Sequence, residues 1–415
     1  MTLMPHQRKA VDDLHAHNGV AWVSARVGAG KTPIAITYLK ERGVKNALIL
    51  VPKSIIKQWK EEIVKFGGDP NWTVTNYEKL LDDDFCRALT KNMPEAIVAD
   101  ESTKVKSPTG KVAKRFRKLQ PPIRIMLAAN ITPNALWELY SPLQWFVPGM
   151  LGKSFYEFRN NHCMMNPYIP QMIVGYKNPD YLMNQINNYT VRVDWDGKGE
   201  LPEATREIIP VEMRPDEMLR YKTLERESIL ELQSGDKITI PNILTKLLKL
   251  TQLINDPQLF ELPQGSKELA LIAFLKSVQE EKVIVFSEHT VPLLRLQQHL
   301  GGVLYIGSMS EKERGEALDK FKTSDNILWA SAAGAKGLNL QEHSATVVHY
   351  GLCLTNDMLT QRFGRINRIG QEKKIREIIF LVKDSCDERI WKIIQEKKKL
   401  EEKFSRKDYM NMLGI

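Results

Sequence analysis

Residues Ala25 to Thr32, ARVGAGKT, place two glycines, a lysine and a threonine at a spacing suited to a phosphate chain. Gly28, Ala29 and Gly30 can curl so that backbone N–H groups face phosphate oxygens at a helix N-terminus. Lys31 then reaches the β- and γ-phosphates, and the Thr32 hydroxyl is placed to ligate Mg²⁺. The strict pattern has Gly where this chain has Ala25, so the match is partial. The bland reading is a glycine-rich turn that happens to precede Lys-Thr. A strand before it and a helix after it favour the functional one.

A second group is Asp100 and Glu101, which end the apolar run EAIVAD. A carboxylate there can hold Mg²⁺, directly or through water, while its neighbour orients and deprotonates an attacking water. Taken alone, an acidic pair after a strand also fits a solvated loop. Its distance and order behind the glycine-rich turn favour the catalytic reading. The third group is QRFGRINRIGQ, Gln361 to Gln371. Arg365 and Arg368 are three apart, so a helix would put both guanidinium groups on one face. Planar forks suit a γ-phosphate and its transition-state charge, and a basic surface helix is the alternative.

These residues need rigid elements beneath them. GVAWVSA, NALILVP, EAIVAD and IRIMLAA read as buried parallel strands. KTPIAITYLKERG and SIIKQWKEEIVKFG read as amphipathic helices between them, which implies βαβ units and a doubly wound sheet. Residues 149–200 break the pattern with Asn, Pro, Tyr and Met and read as a protrusion. TREIIPVEM is a strand, and DEMLRYKTLERESILELQ and ILTKLLKLTQLIN are helices. KELALIAFLKSVQ, KVIVFSE, NILWASA, ATVVHYG and REIIFLV then repeat the α/β alternation. The C-terminal DERIWKIIQEKKKLEEKF is a charged helix with Ile390, Ile393 and Ile394 on one face. The expectation is two lobes, 1–205 and 206–415.

The 415 residues suit two such lobes, and the net charge of +9 favours a polyanionic partner once the motifs agree. Four scattered cysteines without a CxxC pair argue for reduced thiols and against a zinc site. No run is long and apolar enough for a membrane span, and MTLMPHQRKA lacks the apolar core of a signal peptide. These features predict an intracellular protein, cytoplasmic or nucleoid-associated, with no membrane partner.

The three motifs, in this order, resemble those of superfamily-two helicases, and among them the Swi/Snf-type DNA translocases. The resemblance spans nearly the whole chain, and the closing Arg-Ile-Gly-Gln is its most diagnostic string. It implies two RecA-like lobes of parallel sheet with ATP–Mg²⁺ in the cleft between them, closed by Arg365 and Arg368. LMPHQ is similar to the element that sets a glutamine, here Gln7, on the adenine. ALILVPKSIIKQW and VTNYEKL resemble DNA-facing segments, which implicates Lys53, Ser54, Trp59 and Asn76. KVIVFSEHT and WASAAGAKGLNL resemble second-lobe segments, the latter linking DNA to ATP. They implicate Ser287, Ser331, Gly334 and Lys336 at DNA and Gly337 at the nucleotide.

Two departures stand out. Asp-Glu-Ala-His is here Asp100-Glu101-Ser102-Thr103, and LAANITPN carries Ala128 and Asn130 where relatives have threonines. Asn130 retains a hydrogen-bonding group for the cleft. The second change bears on how tightly hydrolysis is coupled to movement, not on ATP binding. The chain also carries no bromodomain-like, chromodomain-like or zinc-finger segment, which implies a minimal, monomeric translocase of viral or bacterial type on plain, forked or branched double-stranded DNA. The competing expectations are a strand-separating or branch-migrating helicase using 149–200 as a wedge, a nucleotide-gated DNA clamp with weak turnover, and a motor subunit of a nuclease complex. Tyr168, Tyr176 and Tyr181 would stack on bases if single strands enter. Lys397–Lys399 read as a solvated face before a phosphate contact.

Overall fold

Fully buried apolar runs can pair on both sides only if both faces of their sheet are covered, and the chain builds two such sheets. The computed structural model describes residues 3–129, 131, 136–166, 173–195, 201–234, 240–331, 338–353, 356–400 and 411–412. The side chains of residues 103, 232–234, 240–241, 356–357 and 397–400 lie outside that description. The chain divides into two units, Met1–Lys198 and Gly199–Ile415.

The strands of the first unit are β1 (Val20–Ala25), β2 (Ala47–Val51), β3 (Thr73–Asn76), β4 (Ala96–Asp100), β5 (Ile123–Ala128), the short pair β6 (Cys163–Met165) and β7 (Ile173–Tyr176), and β8 (Thr190–Val193). Its main sheet has the order β3-β2-β4-β5-β1-β8, every pairing parallel. Helices α1 (Pro5–Ala16), α2 (Lys31–Glu41) and α3 (Ile56–Phe66) cover one face, and the helices Lys111–Lys118 and Tyr140–Phe146 cover the other. Alternate strand residues feed two different hydrophobic clusters. Ala96 and Val98 pack with Trp59 and Ile34, whereas Ile97 and Ala99 pack with Tyr77, Phe116 and Trp145.

The second unit contributes β9 (Ala204–Val211), β10 (Val283–Ser287), β11 (Val303–Tyr305), β12 (Ile327–Ser331), β13 (Thr346–His349) and β14 (Ile375–Val382). Their order is β11-β12-β10-β13-β14-β9, again parallel throughout. The helices Pro215–Ser234, Ile240–Asn255 and Ser266–Ser277 join the core of this unit, as does Cys386–Leu400 through buried Ile390, Ile393 and Ile394. Both units are thus doubly wound α/β sheets, as the strand and helix patterns imply.

Two expectations need correction. The division falls between 198 and 199 and not between 205 and 206, because the whole of β9 pairs with β14, from Ala204 opposite Ile375 to Val211 opposite Val382. The described part of 149–200 does not stand apart from its unit. Phe158, Cys163, Leu182 and Ile186 are buried among Trp145 and Tyr140, and β8 pairs with β1. In its described part, buried Leu151, Phe158, Cys163, Leu182 and Ile186 alternate with exposed Tyr156, Met164 and Tyr181, which accounts for the mixed composition.

Candidate active site

In a parallel sheet the carboxyl ends of all strands lie on one edge, which is where α/β folds bind ligands. In the first unit β5 lies between β1 and β4, with Ser24 beside Ala128 and Leu127 beside Asp100. The glycine-rich turn that follows β1 and the carboxylate that ends β4 therefore reach the same edge, one strand apart.

The turn needs its glycines. Gly28 has φ +90° and Gly30, the residue capping α2, has φ +81°, a region that side chains with a Cβ seldom enter. A Cβ on Gly30 would also collide with the Gln7 amide nitrogen. Lys31 opens α2 with its ammonium 3.1 Å from the Ala25 carbonyl, and Thr32 is half-buried next to it. Gln7 is buried against the turn, donating to the Ala29 carbonyl at 3.3 Å and accepting from the Met4 N–H at 3.1 Å. His6 adds a 3.1 Å contact to the same carbonyl.

Asp100 is 6% exposed. One carboxylate oxygen accepts the Glu101 N–H at 2.9 Å, and the other accepts the Trp59 indole N–H at 2.9 Å. The Tyr77 hydroxyl donates to the Asp100 backbone carbonyl at 2.6 Å. Burial, helped by the charge of Glu101, pushes the Asp100 carboxyl up to about 6, while Lys31 and the Trp59 N–H pull it back. Burial also raises the Tyr77 phenol well above its usual range, which keeps it a neutral donor. Glu101 has φ +50°, a strained conformation for a residue with a Cβ, at the position where water activation is expected. A hydroxyl at Thr32 and a carboxylate at Asp100 are hard oxygen donors of the kind Mg²⁺ takes beside phosphate and water, so this set fits that ion.

The DNA-facing expectations divide. Lys53 and Ser54 are exposed on the 3-10 turn Lys53–Ile55 just beyond β2. Asn76 ends the neighbouring edge strand β3, opposite Val51, and its side chain caps the next turn by accepting the Lys79 N–H at 3.0 Å. These three share one stretch of the sheet edge. Trp59 does not join them. It is 0% exposed with its N–H committed to Asp100, so its contact is with the carboxylate and not with DNA.

In the second unit the helix Asn356–Phe363 stops before the arginines, and residues 364–371 form successive turns. Arg365 and Arg368 therefore do not share a helix face, contrary to the spacing argument. They still converge: Arg365 donates to the Leu338 carbonyl at 3.3 Å and to the Gln361 carbonyl at 3.0 Å, and Arg368 bonds the Asn339 side chain. This ties the arginine string to the end of WASAAGAKGLNL. Gln371 is a fastener, donating to the Ser344 carbonyl at 2.9 Å. Ser287 is fully buried, and its hydroxyl accepts the His289 N–H at 3.1 Å; Ser331 is 4% exposed. Both shape the ends of their strands and present no surface to DNA. Gly334, Lys336 and Gly337 lie outside the described residues, as do Asn130, Tyr168 and the side chains of Lys397–Lys399. Tyr176 is half-buried with its hydroxyl toward the Trp137 N–H, while Tyr181 is exposed and stacks on His162.

Two residues escaped the motif reading. Tyr77 stood inside VTNYEKL with nothing in its spacing to reveal its bond to Asp100. Arg362 is buried, donates to the Gly351 carbonyl at 3.0 Å, pairs with Glu288 and lies over the Phe286 ring.

A model of the SNF2-related domain matches residues 71–259, and one of the helicase conserved C-terminal domain matches residues 266–370. The chain carries both domains, the pair found together in SNF2-type helicases. It is accordingly an enzyme of their ATP-hydrolysing class. The first match takes in Asp100 and Glu101 but begins beyond the glycine-rich turn, and the second takes in both arginines. An uncharacterized ATP-dependent helicase of Bacillus subtilis, YqhH, is 25% identical over 97% of this chain and 79% of its own length. The ISWI chromatin-remodeling complex ATPase ISW2 of Saccharomyces cerevisiae is 24% identical over 94% of this chain but 39% of its own length. An uncharacterized ATP-dependent helicase of Mycoplasma pneumoniae is 23% identical, and the chain likewise spans 39% of it. Among solved structures, the Sulfolobus solfataricus SWI2/SNF2 ATPase core in complex with dsDNA is 23% identical, with a TM-score of 0.44 over 96% of this chain and 92% of that one. Among the described residues no helix is long and apolar enough to cross a membrane.

Proposed function

We propose that the chain is a DNA-dependent ATPase that moves along double-stranded DNA on the energy of ATP hydrolysis. The observation that carries this reading is the shared sheet edge, where the positive-φ glycine turn with Lys31 meets Asp100 and Glu101 one strand away. In this reading the N–H groups of Gly28, Ala29 and Gly30 and the Lys31 ammonium hold the phosphates, and Gln7 borders the adenine. Thr32 and Asp100 would hold Mg²⁺, which supplies neutralising charge at the β- and γ-oxygens. Glu101 orients the attacking water and takes its proton. Arg365 and Arg368 meet the charge that develops on the γ-phosphate, and Gly337 belongs to the same nucleotide set. Lys53, Ser54 and Asn76 in the first unit, with Gly334 and Lys336 in the second, grip backbone phosphates of one strand, a mode that reads no sequence.

Ala128 favours a second reading. It is 3% exposed at the end of β5, between the two catalytic strands, and supplies no hydroxyl where relatives have one. A clamp that grips DNA when ATP binds, but turns over slowly, follows from that loss. Steady-state ATP hydrolysis separates the two, measured without nucleic acid and with single-stranded, blunt duplex, forked, four-way DNA and RNA. Strong stimulation by blunt duplex supports the translocase. Preference for forked or four-way DNA supports strand separation or branch migration. ATP-dependent DNA binding without phosphate release supports the clamp, and no response to any nucleic acid sinks the motor.

A further inference from the structure

We propose that Trp59 and Tyr77 are positioning residues that tie the two phosphate-gripping segments of the first unit to Asp100. The inference rests on the function proposed above. Trp59 lies in α3, which begins directly after the turn that carries Lys53 and Ser54. Tyr77 follows Asn76. Each segment therefore carries one aromatic residue that ends on the same acidic residue: the indole N–H 2.9 Å from the Asp100 carboxylate, and the phenol 2.6 Å from its backbone carbonyl.

The two ties come from opposite faces of the sheet. Trp59 packs in the cluster that holds Val98 and Ile34, and Tyr77 in the one that holds Ala99 and Phe116. At 0% and 1% exposure neither ring has room to turn away without disturbing its neighbours. The remaining carboxylate bond, from the Glu101 N–H, is local and follows Asp100 wherever it goes. The carboxylate is thus tied to the rest of the unit through Trp59, and the backbone that carries it through Tyr77. A strand of DNA that presses on Lys53–Ser54 or on Asn76 displaces the elements in which those ties are rooted. Coupling through a threonine hydroxyl at position 128 is not open to this chain, which has Ala128 there.

The test uses the full chain and the variants Trp59→Phe, which removes the indole donor and leaves a smaller aromatic ring, and Tyr77→Phe, which removes only the hydroxyl. Trp72→Phe is the packing control, since Trp72 is 4% exposed in the same cluster as Trp59 and donates to the Val44 carbonyl. Three quantities are measured: Mn²⁺ affinity with ADP present, by the electron paramagnetic resonance of free Mn²⁺; ATP affinity in EDTA; and the ratio of duplex-stimulated to basal hydrolysis. Trp59→Phe is expected to weaken Mn²⁺ by about 10- to 100-fold, as loss of a partner of a metal-binding carboxylate does, with ATP affinity in EDTA unchanged. Both variants are expected to lower the stimulation ratio, and Trp72→Phe to alter none of the three. Wild-type Mn²⁺ affinity and stimulation ratio in Trp59→Phe would overturn the inference, as would equal losses in Trp72→Phe. A wild type that no DNA stimulates overturns the proposed function instead, and the Mn²⁺ titration still decides whether Trp59 holds Asp100.

Discussion

Lys31 and Arg368 are the side chains whose loss speaks most directly to chemistry. Removing an electrostatic donor aimed at developing phosphate charge costs about 10²- to 10³-fold in turnover, so Lys31→Ala should slow phosphate release by at least that factor. Full turnover in that variant would remove the glycine-rich turn from the site. Arg368→Ala is expected to bind nucleotide normally and to hydrolyse it roughly 10³-fold more slowly, the scale of an arginine finger. Arg365 should behave differently. It is 7% exposed and bonded to two backbone carbonyls, so Arg365→Ala should also lower the melting temperature, which Arg368→Ala should leave nearly unchanged. Equal thermal effects would argue that both arginines are structural. The identity of these residues was legible in their strings, but their roles were only partly so. Nothing in KSIIKQW distinguishes a tryptophan that faces DNA from one that turns inward to a carboxylate, because both sit on a helix beside polar neighbours.

At the level of elements, the turn between β1 and α2 is the most demanding piece of backbone. Gly30→Ala forces a Cβ into the left-handed region and against Gln7, and should destabilise the first unit by about 1 kcal/mol or more. Thermal melting with and without ATP reads it, and an unshifted curve would deny the strain. The apolar junction of α1 with α2 has a charged rim: Glu41 bonds Arg8 and, at 2.9 Å, His15. The Arg8 guanidinium holds the Glu41 carboxyl down at about 2, below its ordinary 4.5. The folded value is the lower one, so the stabilisation is complete above the ordinary value and is lost as pH falls toward the folded one. Glu41→Gln should therefore lower the melting temperature at neutral pH, by an amount that shrinks below about pH 4.5. A deficit constant with pH would mean that charge is not the cause. Long apolar runs such as ALILV and VIVFS announced their strands because a buried parallel strand has no polar face. In the two six-stranded sheets, the strands that escaped the sequence reading are β3, β8 and β11, all at sheet edges and three or four residues long. Half-exposed short strands owe their pairing to a neighbour already in place, which composition does not record.

For the molecule as a whole, each unit carries its own core, and the second also buries an ion pair. Lys267 and Asp387, 0% and 1% exposed, meet at 2.6 Å between the helix Ser266–Ser277 and the start of the C-terminal helix. Asp387→Ala leaves an unpaired buried ammonium and should cost about 3–5 kcal/mol, whereas replacing both residues by apolar ones of similar volume should cost far less. Denaturant unfolding monitored by Trp329, buried in the second unit, tests this; a small loss in Asp387→Ala would show that water reaches the pair. The sequence displayed two α/β halves clearly and misplaced the joint between them. The signal there is TREIIPV, a strand whose partner β14 lies far along the chain, and no local pattern reports such a partner. That separation has a consequence during synthesis. Thr205 bonds the Ile375 carbonyl across 170 residues of chain, so β9 leaves the ribosome well before the strand it pairs with. At about 5–20 residues per second the wait is roughly 8 to 35 seconds. Arg206, Glu207 and Pro210 put charge and a missing N–H on β9, the features that discourage an unpaired strand from adding to another nascent chain.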